Sequence, residues 1–150
     1  MDRTNVSLRR IMTRATCYKI EQFKNCILVT LRGNWTMATN IEYLAVMAEE
    51  INKRKGRPFH LIVDMRSWQI PTAKTFTQMK AAIKIDRSNQ VSELWLEDED
   101  TKANHIAEKF FAETKFTLSR TKSITDFIEQ CAQKADDNVV QYIKIWLTHN

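Results

Sequence analysis

The chain has 150 residues, 43% of them hydrophobic and 27% charged, with a formal net charge of +5. That length supports one domain, which buries roughly two-thirds of the surface its unfolded chain exposes. No stretch approaches the roughly 20 apolar residues of a membrane span, and the polar, basic residues after Met1 lack the apolar core of a secretory signal, so a cytoplasmic protein is expected.

Residues 1–17 show no clear period and read as a weakly structured lead. Tyr18, Ile20 and Phe23 are separated from Ile27, Val29 and Leu31 by Lys24 and Asn25, two β-rich runs around a short polar link, which predicts a β-hairpin. From Thr39 the apolar residues Ile41, Leu44, Ala45, Ala48 and Ile51 recur at helical spacing. Thr39-x-x-Glu42 fits a capping box, and Lys53, Arg54, Lys55 and Arg57 around Gly56 suit the end of the helix, where cations complement its dipole.

Phe59 to Val63 is apolar at nearly every position and ends in Asp64, the pattern of a central strand covered on both faces. A polar connection holding Ser67 and Pro71 leads to a second helix with Ala73, Phe76, Met79 and Ile83 on its buried face, ending near Ser88 and Asn89. Val91 to Leu96 reads as the next strand. The acidic run Glu97 to Asp100 is placed at or just before the N-terminus of a helix through Ala103, Ile106, Ala107 and Phe110, as a solvated cap. A strand over Phe116 to Arg120 precedes a helix capped by Ser123, with Ile124, Phe127, Ile128, Cys131, Ala132 and Ala135 as its buried stripe. Residues 18–135 form the expected domain. The segment 136–150, with Val139, Val140, Ile143, Trp146 and Leu147, reads as helical and is either a further helix on the sheet or a homodimer contact.

Candidate chemistry is sparse. Two glycines, Gly33 and Gly56, exclude a G-x-G-x-x-G motif and a P-loop. Three cysteines, Cys17, Cys26 and Cys131, without C-x-x-C spacing, argue against a disulfide framework or zinc site and read as small buried residues. The acidic run lacks the spaced ligands of a calcium loop, so no metal or cofactor is expected. His60 reads as a structural histidine on the central strand. The connection beyond Asp64 lies where open α/β sheets place their sites. Trp35 and Trp68 each follow a central strand, and their indoles either line an apolar pocket or partner patch at one sheet edge, or cap the core. Arg3, Arg9, Arg10 and Arg14 form a basic N-terminal cluster, the alternative of a weak nucleic-acid contact, although no aromatic residue interleaves them for base stacking.

The β-β-α-β-α-β-α-β-α order, the G-N-W-T run at Gly33 to Thr36 and the L-I-V-D-M run at Leu61 to Met65 resemble the STAS domain of anti-sigma factor antagonists and sulfate-transporter cytoplasmic parts. The resemblance spans about residues 18–135. It implies an α/β fold with an N-terminal hairpin followed by βα units, and a mixed sheet of about five strands with four or five helices. In that family the strand runs into a D-S-S-G-type turn with a phosphorylated serine. Here Arg66 to Lys74 lacks both the aspartate-serine pair and the glycine, with Thr72 nearest the missing serine and Ser67 offset toward the strand. The chain is more similar to SpoIIAA-like single-domain proteins. The resemblance therefore implies a non-enzymatic regulatory or binding module that engages a partner protein or a small apolar ligand around Trp35, Asp64, Ser67 and Trp68, with Thr72 or Ser67 as the phosphorylation candidates. An enzyme with a site near Asp64 and Ser67 is the competing class.

Overall fold

The computed structural model describes residues 17–69, 86–113 and 115–149, with the backbone alone for 109–113. Tyr18–Phe23 (β1) and Cys26–Leu31 (β2) pair antiparallel across Lys24 and Asn25, with Phe23 opposite Cys26. Gly33–Asn34 (β3) follows β2 and leads into Met37–Asn52 (α1). Then come Phe59–Asp64 (β4), Trp68–Gln69 (β5), Gln90–Leu96 (β6), Asn104–Glu113 (α2), Thr117–Thr121 (β7), Ile124–Lys134 (α3) and Asp137–Thr148 (α4). The main sheet has the order β1-β2-β4-β6-β7; β2, β4, β6 and β7 are parallel, and the short β3 and β5 form a separate parallel pair. The expected α/β class and mixed five-stranded sheet are therefore present, with four helices among the described residues. The helix expected through Ala73, Phe76, Met79 and Ile83 lies outside those residues, as do Pro71, Thr72, Lys74 and the four N-terminal arginines.

The central strands read as continuous apolar runs because both their faces are covered. Alternate residues Ile27, Val29, Leu31, Leu61, Val63 and Trp95 pack with Met47 and Ile51 of α1 and Ile106 and Ala107 of α2. The intervening Leu28, Ile62, Leu94 and Leu96 pack with Phe127 and Cys131 of α3 and with Val139, Ile143, Trp146 and Leu147 of α4. Cys26 also belongs to this second core, and burial pushes its thiol up to about 11 and that of Cys131 up to about 12. Both thiols therefore stay protonated and unreactive at neutral pH.

α4 is fixed to the hairpin as well as to the core. The Phe23 and Tyr142 rings stack at 4.3 Å, the Tyr142 hydroxyl donates to Glu21, and Lys24 pairs with Asp136 at 3.2 Å. At the same end of the sheet Arg54, expected as a helix-end cation, is instead only 5% exposed. Its guanidinium donates to the carbonyls of Lys24 at 2.9 Å and Pro58 at 2.8 Å, clasping the hairpin turn to the entry of β4.

Two local expectations are corrected. Thr39 is not the N-cap of α1: Thr36 is, with its Oγ1 accepting from the Thr39 amide at 3.2 Å. Glu42, three residues beyond Thr39, accepts the Tyr18 hydroxyl at 2.6 Å instead of closing a capping box. In α3, Ser123 caps as expected, but Ile124 is 46% exposed and Ala132 is also exposed. That helix packs over β6 and the edge strand β7, where the sheet ends and one flank of the helix meets water.

The two-sided core makes α4 part of the folded unit, and its faces should separate in a mutational series. Ile143 is fully buried and Ile145 is 61% exposed. Ile143→Ala should cost about 2 to 5 kcal/mol in denaturant unfolding, while Ile145→Ala should stay within about 0.5 kcal/mol. Equal, small effects would contradict docking of α4 on the sheet.

Candidate functional site

At the carboxyl end of the parallel strands the ladder stops and polar side chains take over. Asp64, the last residue of β4, is fully buried. Its carboxylate accepts from Arg32 Nη2 at 2.8 Å, Arg66 Nε at 2.9 Å, Arg66 Nη2 at 2.8 Å and the Arg66 amide at 3.2 Å. Arg32 stands one residue past β2 and also donates to the Leu31 and Asp64 carbonyls, at 2.8 and 3.0 Å. Arg66 reaches the Leu147 carbonyl of α4 at 3.4 Å. One carboxylate thus joins the exits of two neighbouring strands, and one of its arginines meets the helix that covers them. Burial alone would raise the Asp64 carboxyl, but hydrogen bonds and charge from Arg66 and Arg32 outweigh it and hold the group below its ordinary value.

The next residues form a fixed turn. Ser67 takes a left-handed backbone, φ 58°, which a side chain other than glycine adopts only when its surroundings impose it. Asp98 supplies that constraint, accepting from the Ser67 amide at 3.0 Å and from its hydroxyl at 3.1 Å. The same carboxylate accepts the Asp100 amide at 3.0 Å, and the Thr101 hydroxyl donates to the Met65 carbonyl at 2.8 Å. The connection after β4 is therefore bolted to the connection after β6.

These contacts correct the reading of the acidic run. α2 begins at Asn104, beyond Asp100, and has no acidic residue in its first turn. Glu97 is buried against Arg120, with contacts of 2.6 and 2.8 Å, and the Arg120 guanidinium lies 5.5 Å from the Trp95 ring centre. Glu97 ties the end of β6 to β7 and Asp98 ties it to the turn at Ser67, while Glu99 and Asp100 stay exposed ahead of α2.

β3 and β5 extend this edge. The Gly33 amide donates to the Ser67 carbonyl at 2.8 Å, the Trp35 amide to Gln69 at 3.0 Å and the Lys102 amide to Trp68 at 3.0 Å. Gly33, at φ 78°, makes the bend that a residue with a Cβ would strain. Trp35 and Trp68 do meet, as two parallel neighbouring strands allow: their rings lie edge to face, 5.4 Å apart. They are only 1% and 4% exposed, and Tyr18 and Tyr43 pack around Trp35. Trp35 Nε1 donates to the Arg32 carbonyl at 2.9 Å, whereas Trp68 Nε1 meets no acceptor among the described residues. The surface of this edge is polar, made by Gly33, Asn34 and Ser67 with a half-buried Gln69.

Of the residues singled out from the sequence, Trp35, Asp64, Ser67 and Trp68 are brought together, and Thr72 lies outside the described residues. His60 lies apart, at the opposite end of β4, with Nδ1 2.7 Å from Ser92 Oγ. Arg32, Arg66 and Asp98 were missed. A usable signal existed for the arginines, since each stands within two residues of a strand end. No family model matches the chain, and no curated protein matches it.

Asp64→Asn leaves two guanidiniums facing a neutral amide and should cost about 2 to 4 kcal/mol, below the full penalty for a buried pair because both arginines keep some water contact. The folded carboxyl is held low, so its contribution is complete above the ordinary value of 3.8 and is lost as pH falls through the lowered folded value. Urea unfolding from neutral pH down to acid should show that loss in the native protein and a flatter profile in Asp64→Asn. Parallel profiles would contradict it.

Proposed function

We propose that this chain is a non-enzymatic binding module of STAS-like type, and that it engages a partner protein at the edge formed by β3, β5 and the turn between β4 and β5. The observation that carries the reading is the immobilised turn. Two buried or partly buried carboxylates, Asp64 and Asp98, spend their hydrogen bonds on holding Arg66 and Ser67 in one shape at the surface. Such preorganisation lowers the entropic cost of association, because the loop is ordered before the partner arrives.

The hairpin-first element order and the strand order β1-β2-β4-β6-β7 support the STAS-like part of the reading. The exposed chemistry favours a protein over a small apolar ligand. Both indoles are occupied by each other and by the core, leaving amide and hydroxyl groups at the surface. In this reading Asp64, Trp35 and Trp68 act from inside, as the support of the binding edge, and Ser67 with Asn34 and Gln69 makes the contact. The hydroxyl of Ser67 already faces Asp98, so a phosphate on it would meet a carboxylate and release the turn. A modification there would switch binding off.

Asn34→Arg combined with Gln69→Arg changes the exposed edge without touching the buried carboxylates. Tagged protein recovered from its own host should carry one partner at near-stoichiometric amount, lost with this variant and kept with Gln141→Arg on the exposed side of α4. Equal recovery by both variants would refute the assignment of the edge.

A further inference from the structure

The opposite end of the sheet carries a second surface, of different chemistry. Lys24 and Asn25 precede β2, Arg57 and Pro58 precede β4, and Ser88 and Asn89 precede β6, so three connections end side by side. Their adjacency is fixed by the Arg54 clasp, by the Phe59 amide donating to the Asn89 carbonyl at 3.2 Å and by the His60 amide donating to the Asn25 carbonyl at 2.9 Å. Lys24, Lys53, Lys55 and Arg57 are all exposed there. Lys24 is answered by Asp136 and Lys53 by Glu50, while Arg54, Lys55 and Arg57 have no carboxylate partner among the described residues. Arg54, buried against carbonyl oxygens and the Phe59 ring, adds its charge to the same end.

We propose that this basic end docks the protein on an anionic lipid bilayer surface. The two exposed cations without a carboxylate partner are Lys55, a compact charge on a flexible stem, and Arg57, whose Nε already donates to the Arg54 carbonyl at 2.9 Å, so this end offers a diffuse field more than the bidentate phosphate recognition at which a free arginine excels. No exposed aromatic ring among the residues just named offers a base a stacking platform. Val91, one residue beyond Gln90 at the start of β6, is 49% exposed at this end and gives the bilayer boundary an apolar side chain to take up. Attraction of this kind is additive over the basic residues near the surface and fades within a Debye length, so the association is reversible and salt-sensitive. Docking at the amino ends of the parallel strands leaves the turn at Ser67, at their carboxyl ends, facing away from the membrane.

The test is co-sedimentation of the full chain with phosphatidylcholine vesicles containing about 30% phosphatidylserine, compared with phosphatidylcholine alone. Binding is expected only with the anionic vesicles, and is expected to fall away as sodium chloride rises from about 0.05 to about 0.5 M. Lys55→Glu with Arg57→Glu should lower the vesicle-bound fraction's partition coefficient roughly tenfold or more, and Lys55→Glu alone should lower it by a smaller factor. Thermal melts of both variants check that they fold, and Arg9→Ala with Arg10→Ala should bind as the native chain does. The proposal is overturned by absent binding to anionic vesicles, by equal binding of the folded charge-reversal variants, by loss of binding in the N-terminal variant alone, or by tighter binding to duplex DNA than to vesicles through the same Lys55 and Arg57.

Discussion

A carboxylate with no exposed surface is stable only when its charge is answered, and Asp64 is answered by two arginines from neighbouring strand exits. Removing an ion of this size from water costs several kcal/mol, so the local structure is constrained to keep Arg32 and Arg66 in reach. That requirement fixes where the chain leaves β2 and β4. It places Gly33 and Ser67 side by side, and the β3 and β5 pairing follows from it. Through the Leu147 carbonyl it also ties the end of α4 to the same point. The binding edge proposed here is a consequence of this arrangement.

The two ends of the sheet solve the same problem with opposite charges. At the carboxyl ends, carboxylates of Asp64, Glu97 and Asp98 collect guanidiniums, amides and hydroxyls. At the amino ends, Arg54 collects carbonyls from the hairpin turn and the entry of β4. Asp64, Asp98 and Arg54 each gather backbone groups the strands leave unpaired, and each holds two connections at a fixed spacing. Polar loops thereby gain the definition that apolar packing supplies elsewhere in the molecule.

What the sequence discloses follows the same division. Elements whose formation depends on periodic burial were legible: the hairpin, the continuous apolar run of β4 and the Ser123-capped helix all appear close to where composition places them. The start of α1 was misread because Thr36 and Thr39 are both suitable caps three residues apart. The choice was made by a tertiary contact, the Trp35 amide bonded to Gln69, which holds the chain extended up to Thr36. The location of the candidate site was legible from Asp64 and the two tryptophans, but its wiring was not. Arg32 meets Asp64 only because β2 and β4 are parallel neighbours, and Asp98 meets Ser67 only because β4 and β6 are. Side-chain charge at a strand end announces a need for a partner without saying which loop supplies it.

Asp64 organises the loops beyond the strands. Residue-by-residue amide hydrogen exchange on the native protein and on Asp64→Asn tests it, in conditions where both remain folded. Protection of the Gly33, Trp35 and Trp68 amides, which lie beyond the carboxylate, should fall by a factor of about ten or more in the variant, while that of Leu28 and Ile62 inside the ladder falls only as far as global stability does. Unchanged protection at Gly33, Trp35 and Trp68, or a uniform decrease along both strands, would contradict it.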